Sequence, residues 1–322
     1  MTWLVTGGAG YIGSHVVREL RAAGQAVVVL DDLSTGRPER LPSDVPLVVA
    51  SVCDRAAVRE TLSRHRVTGV VHLASRKSPA ESVRRPDWYH AENVGGLGAL
   101  LAAMANTGAC RLLFSSSAAV YGVPATPVVE ESAPTAPINP YGQTKLDGER
   151  LIAAAGRDYG LSWTALRYFN VVGAAEPVLA DREPTNLVPI AFTAMSAGRP
   201  LTVTGADYPT PDGTGVRDYI DVRDLAAAHV VAALRLQTGP VTGGIYNVGT
   251  GRGYSVLEVV ERIRSVTGQP LEHLIGPRRP GDPPAVVADA GLIRRELGWQ
   301  ARYDLTDMIE STWQAWSAVP VR

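Results

Sequence analysis

Cysteine is scarce in this sequence, and its placement excludes two classes of site. Cys53 and Cys110 are the two cysteines among 322 residues. They are too few for a disulfide framework, and they lack the spacing of a metal site. We therefore predict no metal, and we expect both thiols to be buried as small apolar groups in a reducing compartment.

Long apolar runs and excess charge are also missing. No apolar run approaches the roughly 20 residues that cross a bilayer, and the first residues lack the basic start and apolar segment of a signal peptide. The net charge is −1, and no basic block is present. We therefore expect a cytoplasmic protein with neither a membrane nor a nucleic acid as its partner.

What is present is a regular alternation of short apolar strands and helical patterns through the first half of the chain. We predict strands at residues 3–6, 26–30, 47–50, 69–74, 111–114 and 163–168. We predict helices at residues 14–23, 55–63, 88–107 and 141–155. Such alternation is typical of an α/β protein with a doubly wound parallel sheet, the Rossmann fold.

The composition changes in the second half. Residues 171–215 are rich in Pro, Gly, Thr and Asp, with one helical stretch near 187–197. Further elements are predicted at 216–220, 223–236, 244–248, 255–267 and 305–317. We predict a nucleotide-binding domain at 1–169, to which 216–248 return, and a smaller, discontinuous substrate lobe at 170–322.

A glycine-rich turn, GGAGYIG at residues 7–13, follows the first predicted strand. In such a motif Gly7 makes the tight turn, Gly10 lets a pyrophosphate approach the backbone, and Gly13 lets the helix pack on the strand. The free N–H groups at the helix start favour the anion. Asp31, at the end of the second strand, is placed to bind the adenine ribose and to repel a 2′-phosphate. The sequence therefore predicts NAD rather than NADP.

A second group of polar residues has the composition of an acid–base site. Tyr141 and Lys145 are four residues apart, which places them on one face of a helix. There the ammonium is expected to lower the pKa of the phenol from its usual value of about 10. Residues 115–117, all serine, end a predicted strand, where ligand groups collect in a parallel sheet. His72 lies inside an apolar strand, and we interpret it as a packed core histidine.

These residues, together with three longer stretches, resemble a known family. The stretches are TGGAGYIGSH at 6–15, RYFN at 167–170 and DYPTPDGTGVRDYI at 207–220. The chain resembles the extended short-chain dehydrogenases/reductases and, among them, the UDP-glucose 4-epimerases over nearly its whole length. The resemblance implies a tightly held NAD that is regenerated in each cycle, and a UDP-sugar substrate. It also implies a homodimer that pairs through the helices near 88–107 and 141–155.

The resemblance also implies a role for each catalytic residue. Tyr141, as phenolate, would take the proton of the sugar 4-hydroxyl while hydride leaves C4. Lys145 would lower the pKa of the phenol and hold the nicotinamide ribose, and Ser117 would hydrogen-bond the reacting oxygen. The resulting 4-keto sugar would turn over and take the hydride back on its other face. For this rotation the hexose must be held loosely, so the rest of the substrate must be held firmly. Arginines that bind the diphosphate would do this.

The positions that the resemblance implies fall into two sets. Those for the cofactor are Gly7, Gly10, Tyr11, Ile12, Gly13, Asp31, Asp32, Ser51, Val52, Leu73, Ala74, Ser75, Lys77, Asn93, Ser115, Tyr141, Lys145 and Tyr168. Those for the substrate are Lys77, Ser117, Ala119, Tyr141, Asn170, Asn186, Leu187, Arg217, Arg279 and Asp282, with Arg76, Arg182 and Val286 as further candidates.

Departures from the family pattern leave the sugar open. Ser51 replaces an aspartate that reaches the adenine, and Ala119 replaces a threonine near the substrate. Arg76 and Arg182 are extra cations that would suit a carboxylate, as in a UDP-glucuronate/UDP-galacturonate 4-epimerase. Val286 replaces a tyrosine and leaves room for an N-acetyl group, as in a UDP-N-acetylglucosamine 4-epimerase. UDP-glucose and UDP-galactose remain the leading pair.

Two more distant alternatives are weaker. A nucleotide-sugar 4,6-dehydratase on the same scaffold needs an acid–base pair after Ser117, and Ala118 and Ala119 supply none. A non-catalytic NAD-binding module would lack Tyr141 or Lys145, and both are present.

Overall fold

The chain divides into two compact units of interleaved segments, described here from a computed structural model. The structure describes residues 1–239, 243–279 and 281–318. The first unit comprises Met1–Val120, Pro137–Arg167 and Ala226–Tyr246, and the second comprises Tyr121–Ala136, Tyr168–Leu225 and Asn247–Arg322. Residue 280 and residues 319–322 of the predicted second lobe lie outside the described part.

The elements confirm the predicted alternation of strands and helices. The strands are β1 (Thr2–Thr6), β2 (Ala26–Asp31), β3 (Leu47–Val49), β4 (Gly69–His72), β5 (Arg111–Ser117), β6 (Val128–Val129), β7 (Ser162–Tyr168), β8 (Asn170–Val172), β9 (Leu201–Thr204), β10 (Val216–Asp221), β11 (Ile245–Val248), β12 (Gly253–Ser255), β13 (His273–Gly276) and β14 (Ala285–Ala288). The α-helices are α1 (Tyr11–Ala22), α2 (Arg55–Arg64), α3 (Pro79–Arg84), α4 (Pro86–His90), α5 (Gly96–Thr107), α6 (Pro140–Tyr159), α7 (Leu187–Ser196), α8 (Val222–Arg235), α9 (Val256–Thr267), α10 (Gly291–Leu297) and α11 (Leu305–Ser317). A π-helical segment, Ala91–Gly95, joins α4 to α5.

The large sheet has the strand order β11-β7-β5-β4-β1-β2-β3. Thr6 of β1 lies opposite Leu30 of β2 and His72 of β4, and these pairs are parallel. Because parallel strands end at the same edge, the loops after β1, β2, β4 and β5 all leave from that edge. The fold class is therefore the predicted doubly wound α/β Rossmann fold.

Strand residues on both faces of the large sheet are apolar and buried, among them Leu4 and Val5 of β1, and residues of helices α2, α5 and α6 pack on the face that carries Leu4. His72 is buried there, with Nδ1 2.7 Å from Oγ1 of Thr6. Burial lowers the pKa of His72 to about 3, so the ring is neutral. The interpretation of His72 as a packed core histidine is confirmed.

Caps determine where several helices begin and end. Asn139 accepts a hydrogen bond from the backbone N–H of Gly142 and starts α6, and Gly160, with φ of 72°, ends it. Ser255 and Glu258 form a reciprocal capping box at the start of α9. Among the described residues, no helix is both long enough and apolar enough to span a bilayer.

The second unit has its own sheet and core. Strands β12, β10, β14 and β6 lie side by side, and β8 also pairs with β10. Buried aromatic and aliphatic residues pack beneath them, among them Phe192, Tyr219, Val259 and Trp316. Strands β9 and β13 form a separate parallel pair.

Two predicted boundaries differ from the observed units. β10 lies in the sheet of the second unit, where Asp218 is buried and accepts hydrogen bonds from Thr250, Gly251 and Ala288. The predicted return of residues 216–248 to the first unit therefore holds for 226–246 alone. Residues 121–136 belong to the second unit, because β6 pairs with β14.

Three local predictions are also corrected. Helix α1 begins at Tyr11 rather than at residue 14, because the glycine-rich turn leads directly into it. The strand predicted at 111–114 extends through the three serines, because β5 ends at Ser117. Cys53 and Cys110 are exposed, so the expectation that they are buried is wrong. Each cysteine lies in the connecting segment just before a helix or strand, α2 for Cys53 and β5 for Cys110, where helix and strand periodicity do not indicate burial.

Candidate active site

The glycine-rich turn at residues 7–13 is shaped by close packing. Gly7 has φ of 70°, and a Cβ added there would lie 2.7 Å from the backbone N of Ala74. A Cβ on Gly13 would lie 2.1 Å from the carbonyl oxygen of Gly7. Gly10 differs, since a Cβ there would meet a single atom within 4 Å, at 3.2 Å. The turn therefore requires glycine at 7 and 13 for packing, while Gly10 keeps an open face.

The start of helix α1 suits an anion. Gly10 is its N-cap residue and has no side chain that could compete with a ligand for the backbone N–H groups of the first turn. No acidic residue lies in that turn. The open face of Gly10 beside these donors is a cradle of the kind that holds a dinucleotide pyrophosphate.

Asp31 fixes the turn from the end of β2. Its Oδ2 accepts a hydrogen bond from the N–H of Ala9, and its Oδ1 accepts one from Leu33, both at 2.9 Å. Burial raises the pKa of this carboxyl above 3.8, although both backbone bonds act to lower it. Each carboxylate oxygen has a further lone pair, so Asp31 can also accept from ribose hydroxyls. The residues present therefore fit NAD.

Asn93, on the π-helical segment, holds the loop that follows β4. Its Oδ1 accepts from the N–H of Arg76 at 2.7 Å, and its Nδ2 donates to the carbonyl of Arg76 at 3.0 Å and to Oγ1 of Thr144 at 2.9 Å.

The other cofactor candidates lie at or just after the ends of strands in the large sheet. Tyr11 and Ile12 open α1, Asp32 follows β2, Ser51 and Val52 follow β3, Leu73, Ala74, Ser75 and Lys77 follow β4, and Tyr168 ends β7.

The three predicted catalytic side chains come together at the carboxyl end of β5. Tyr141 and Lys145 are both buried, one helical turn apart on α6. Lys145 Nζ donates to the carbonyl of Ser115 at 2.9 Å and lies 5.9 Å from the centroid of the Tyr141 ring. The hydroxyl of Ser117 hydrogen-bonds the phenol of Tyr141 and accepts from the N–H of Ala119 at 3.1 Å. A phenol, a hydroxyl and an ammonium in this arrangement can move a proton.

The pKa of Tyr141 does not follow the expectation drawn from its spacing to Lys145. Burial raises it above the usual 10, and the hydrogen bond from Ser117 offsets this in part. Burial also lowers the pKa of Lys145 from 10.5 to about 7, against the attraction of Glu149. In the protein alone the pKa of Tyr141 is therefore shifted upward, opposite to the lowering that was expected from Lys145, because burial is the largest cause.

Several candidates for the nucleotide part of a substrate lie together in the second unit. Nη2 of Arg217 is 3.2 Å from Oδ1 of Asp282, and Val286 on β14 lies opposite Arg217 on β10. Asn170 lies opposite Tyr219, and its side chain hydrogen-bonds the Tyr219 hydroxyl. Asn170, Arg217 and Val286 therefore lie on the neighbouring strands β8, β10 and β14, and Asp282 lies just before β14.

Comparison with known proteins identifies the family. Residues 3–249 match the profile of the "NAD dependent epimerase/dehydratase family". The chain belongs to this family. Membership agrees with both the glycine cradle and the Ser117–Tyr141–Lys145 group described above.

Relatives and solved structures in this family cover almost the whole chain. A UDP-glucose 4-epimerase from Azospirillum brasilense is 45% identical over 320 residues, covering 97% of this chain and 91% of that protein. The crystal structure of a Stenotrophomonas maltophila UDP-glucose 4-epimerase with bound NAD and formylated UDP-arabinopyranose aligns with a TM-score of 0.93 at 42% identity, covering 99% of this chain and 98% of that one. A Bifidobacterium longum UDP-glucose 4-epimerase in complex with NAD+ and UDP aligns with a TM-score of 0.92 at 37% identity, covering 99% and 98%.

Of the other substrate candidates, Arg279 is linked to Asp282 through its backbone, while Arg182, Asn186 and Leu187 belong to other elements of the second unit. Arg182 donates to the carbonyls of Ala315 and Trp316 at the end of α11, and its guanidinium lies 5.1 Å from the Trp316 ring centroid. Asn186 is an exposed residue at the start of α7, and Leu187 follows it. Arg279 is exposed, and its carbonyl accepts from the N–H of Asp282.

Two buried groups behind the catalytic residues were missed from the sequence. Arg167 forms a bidentate ion pair with Glu149, at 2.6 and 2.9 Å, and Ser116 donates to the same carboxylate at 2.5 Å. His229 is fully buried, with Nε2 2.8 Å from Oγ of Ser115. A signal was available, because Glu149 continues the four-residue spacing of Tyr141 and Lys145 along the inner face of α6.

Replacing Ser117 by alanine is expected to raise the pKa of Tyr141 further, because the mutation removes a hydrogen bond that lowers it. If the phenolate is the active form, each unit of pKa costs about a factor of ten in its population at fixed pH. The acidic limb of the kcat profile should therefore move to higher pH. Ser117→Thr, which keeps the hydroxyl, is the control. A profile for Ser117→Ala that superimposes on the wild type would contradict the assignment.

Proposed function

We propose that the protein is an NAD-dependent 4-epimerase of UDP-sugars that interconverts UDP-glucose and UDP-galactose. The observation that carries the proposal is the meeting of Ser117, Tyr141 and Lys145 at the carboxyl end of β5. Because this edge of the sheet also carries the glycine cradle, proton transfer and dinucleotide binding belong to one site. The near full-length similarity to UDP-glucose 4-epimerases supports the choice of substrate class.

The residues that would hold NAD are those that the cradle provides. The N–H groups at the start of α1 would bind the pyrophosphate over Gly10, and Asp31 would accept from the adenine ribose. When bound, NAD supplies the acceptor and donor of the hydride and, in its oxidised form, a positive charge. Tyr141 is protonated near neutral pH in the protein alone, since burial raises its pKa. The positive charge of a bound cofactor would favour the phenolate, so we propose that cofactor binding promotes loss of the Tyr141 proton.

The chain's own residues would then handle the proton and the substrate. Tyr141 would remove the proton of the sugar 4-hydroxyl and later return it, with Ser117 hydrogen-bonded to the same oxygen. Arg217 would bind the diphosphate, because a guanidinium forms two parallel hydrogen bonds with such an oxyanion. We further propose that Asn170, Asn186, Arg279 and Asp282 bind the rest of the UDP group. A hexose that is held loosely relative to its UDP can then expose either face of C4.

The structure favours neutral sugars over uronic acids. Arg182 is engaged by the end of α11, and Arg76 is engaged by two carboxylates. A substrate carboxylate would therefore have to compete with these partners for either guanidinium. Val286, which lies opposite Arg217, is smaller than the tyrosine it replaces. The space that it leaves favours UDP-N-acetylglucosamine as a second substrate.

The product distribution tests the proposal. Purified protein should be incubated separately with UDP-glucose, UDP-N-acetylglucosamine and UDP-glucuronate, without added cofactor. We expect rapid conversion of UDP-glucose to UDP-galactose, slower or equal action on the N-acetylated sugar, and little action on the acid. Preferred turnover of UDP-glucuronate would contradict the argument from Arg76 and Arg182. No turnover of any of the three would contradict the proposed substrate class.

Replacing Asp31 by asparagine is expected to reduce the preference for NAD over NADP by about tenfold or more, because it removes the charge that repels a 2′-phosphate. The amide oxygen can still accept one of the two backbone hydrogen bonds that Asp31 now accepts. Titration calorimetry on cofactor-free protein gives both dissociation constants. An unchanged ratio of the two constants would mean that the ribose does not bind at Asp31.

We also propose that the protein is a cytoplasmic homodimer, paired through the α4–α5 stretch and α6. Small residues recur every three or four positions along the exposed side of that stretch, which would permit close approach of a partner helix. They are Ala91, Gly95, Gly98, Ala102 and Ala105. Light scattering after gel filtration should give twice the mass of the chain, and a monomer at micromolar concentration would contradict the proposal.

A further inference from the structure

The loop after β4 reaches across the glycine-rich turn to the loop after β2. In the sheet, β4 and β2 flank β1, from which the turn leaves. Neighbouring strands are about 4.8 Å apart, so the two loops start on the order of 10 Å apart, with the turn between them. A long side chain such as arginine can span that gap.

Arg76 is the side chain that spans it. Its Nη1 donates to Oγ of Ser34 at 2.6 Å, and its Nη2 donates to Oδ2 of Asp32 at 3.0 Å. On the other side, Nε and Nη2 donate to Oε2 of Glu92 at 3.1 and 2.8 Å. We call this group of four residues, Arg76, Ser34, Asp32 and Glu92, the Arg76 bridge.

The backbone of Arg76, from which the bridge extends, is itself held in place. Asn93 bonds both the N–H and the carbonyl of Arg76, so the backbone at the root of the side chain is fixed. The guanidinium also lies 4.9 Å from the centroid of the Trp88 ring. The side chain is 23% exposed, so its ion pairs are partly shielded from water and salt.

We propose that the Arg76 bridge is a clasp that retains NAD by joining the loops on either side of the cofactor's glycine cradle. The proposal rests on the NAD site proposed above. Asp32 follows Asp31, which would bind the adenine ribose, so the clasp closes beside the adenosine half of the cofactor. Release of NAD then requires the loops to separate, and their separation breaks the ion pairs of Arg76. The clasp therefore acts on the dissociation rate.

The test measures how fast bound NAD leaves the protein, without reference to turnover. NAD-loaded protein is diluted into an excess of an NAD-consuming enzyme, and the NAD that remains bound is quantified over time. Arg76→Leu is expected to release NAD about five- to tenfold faster than wild type, because ion pairs with two carboxylates are lost. Raised salt should speed release from the wild type and have less effect on the variant.

Arg85→Leu is the matched control. Arg85 also stacks on Trp88, at 3.7 Å, but its ion pair is with Glu81, four residues away on the same helical stretch, and it reaches neither loop. Its release rate should equal that of the wild type. Should Arg76→Leu fail to fold, Glu92→Gln weakens one arm of the bridge and should speed release in the same direction by a smaller factor.

The outcomes separate the clasp from the proposed function. Bound NAD that leaves Arg76→Leu, or a folded Glu92→Gln, no faster than the wild type would overturn the clasp and leave the epimerase proposal standing. Faster release from Arg85→Leu as well would also overturn it, since stacking on Trp88 would then explain the effect. A wild-type protein that binds no NAD would overturn the proposed function itself.

Discussion

Replacing Tyr141 by phenylalanine is expected to lower kcat by about 10³-fold while NAD stays bound. The variant removes one hydroxyl from a buried ring that keeps its packing. General acid–base catalysis by a single side chain contributes typically 10²- to 10⁴-fold. The loss should appear in kcat rather than in cofactor content, which is measured by the NAD absorbance of the denatured protein.

Tyr159→Phe supplies the control on the same helix. Tyr159 is the last residue of α6 and is 44% exposed, so loss of its hydroxyl should leave kcat unchanged. If Tyr141→Phe retained near wild-type kcat, Tyr141 would not lie on the proton path. Loss of NAD from Tyr141→Phe would instead assign the phenol to cofactor binding.

Replacing Arg167 by methionine is expected to lower the free energy of unfolding by about 3–5 kcal/mol. Arg167 and Glu149 are each 4% exposed and form the buried ion pair behind the catalytic residues. Removing one partner leaves an uncompensated charge in the interior, which is costly, whereas replacing both partners by apolar residues is often close to neutral. The double variant Glu149→Leu/Arg167→Met should therefore be more stable than Arg167→Met alone. Urea unfolding at a fixed NAD concentration measures all three proteins.

An exposed pair on the same helix serves as the comparison. Arg150 and Asp147 are 3.1 Å apart, and the Arg150 side chain is 65% exposed. Arg150→Met should change the free energy of unfolding by less than about 1 kcal/mol. If Arg167→Met were equally mild, the buried pair would not stabilise the first unit.

The parts of the site that were predictable depend on short spacings along the chain. The glycine-rich turn, the acid at the end of β2 and the four-residue step from Tyr141 to Lys145 each follow from local geometry. The structure places all of them at one edge of the sheet. Strands as short as β6, with two residues, and β8, with three, carry no periodicity that could be read in advance.

The features that could not be predicted depend on contacts between residues that are far apart in the sequence. The partners of Arg76 lie 16, 42 and 44 residues away, so nothing near it in the sequence indicates that its charge is already paired. Arg182 finds its acceptors more than 130 residues away. The direction of the pKa shift of Tyr141 depends on how deeply α6 is buried, which no four-residue spacing reveals.

Transfer of a C4-deuterium label tests the central claim most directly. Protein purified with its own NAD is incubated with UDP-glucose that carries deuterium at C4, in ordinary water and with excess unlabelled NADH. If one held cofactor takes the hydride and returns it to the same sugar, UDP-galactose should retain the deuterium at C4. Loss of the label to water or to the NADH pool, or failure to form UDP-galactose while NAD is bound, would contradict the account.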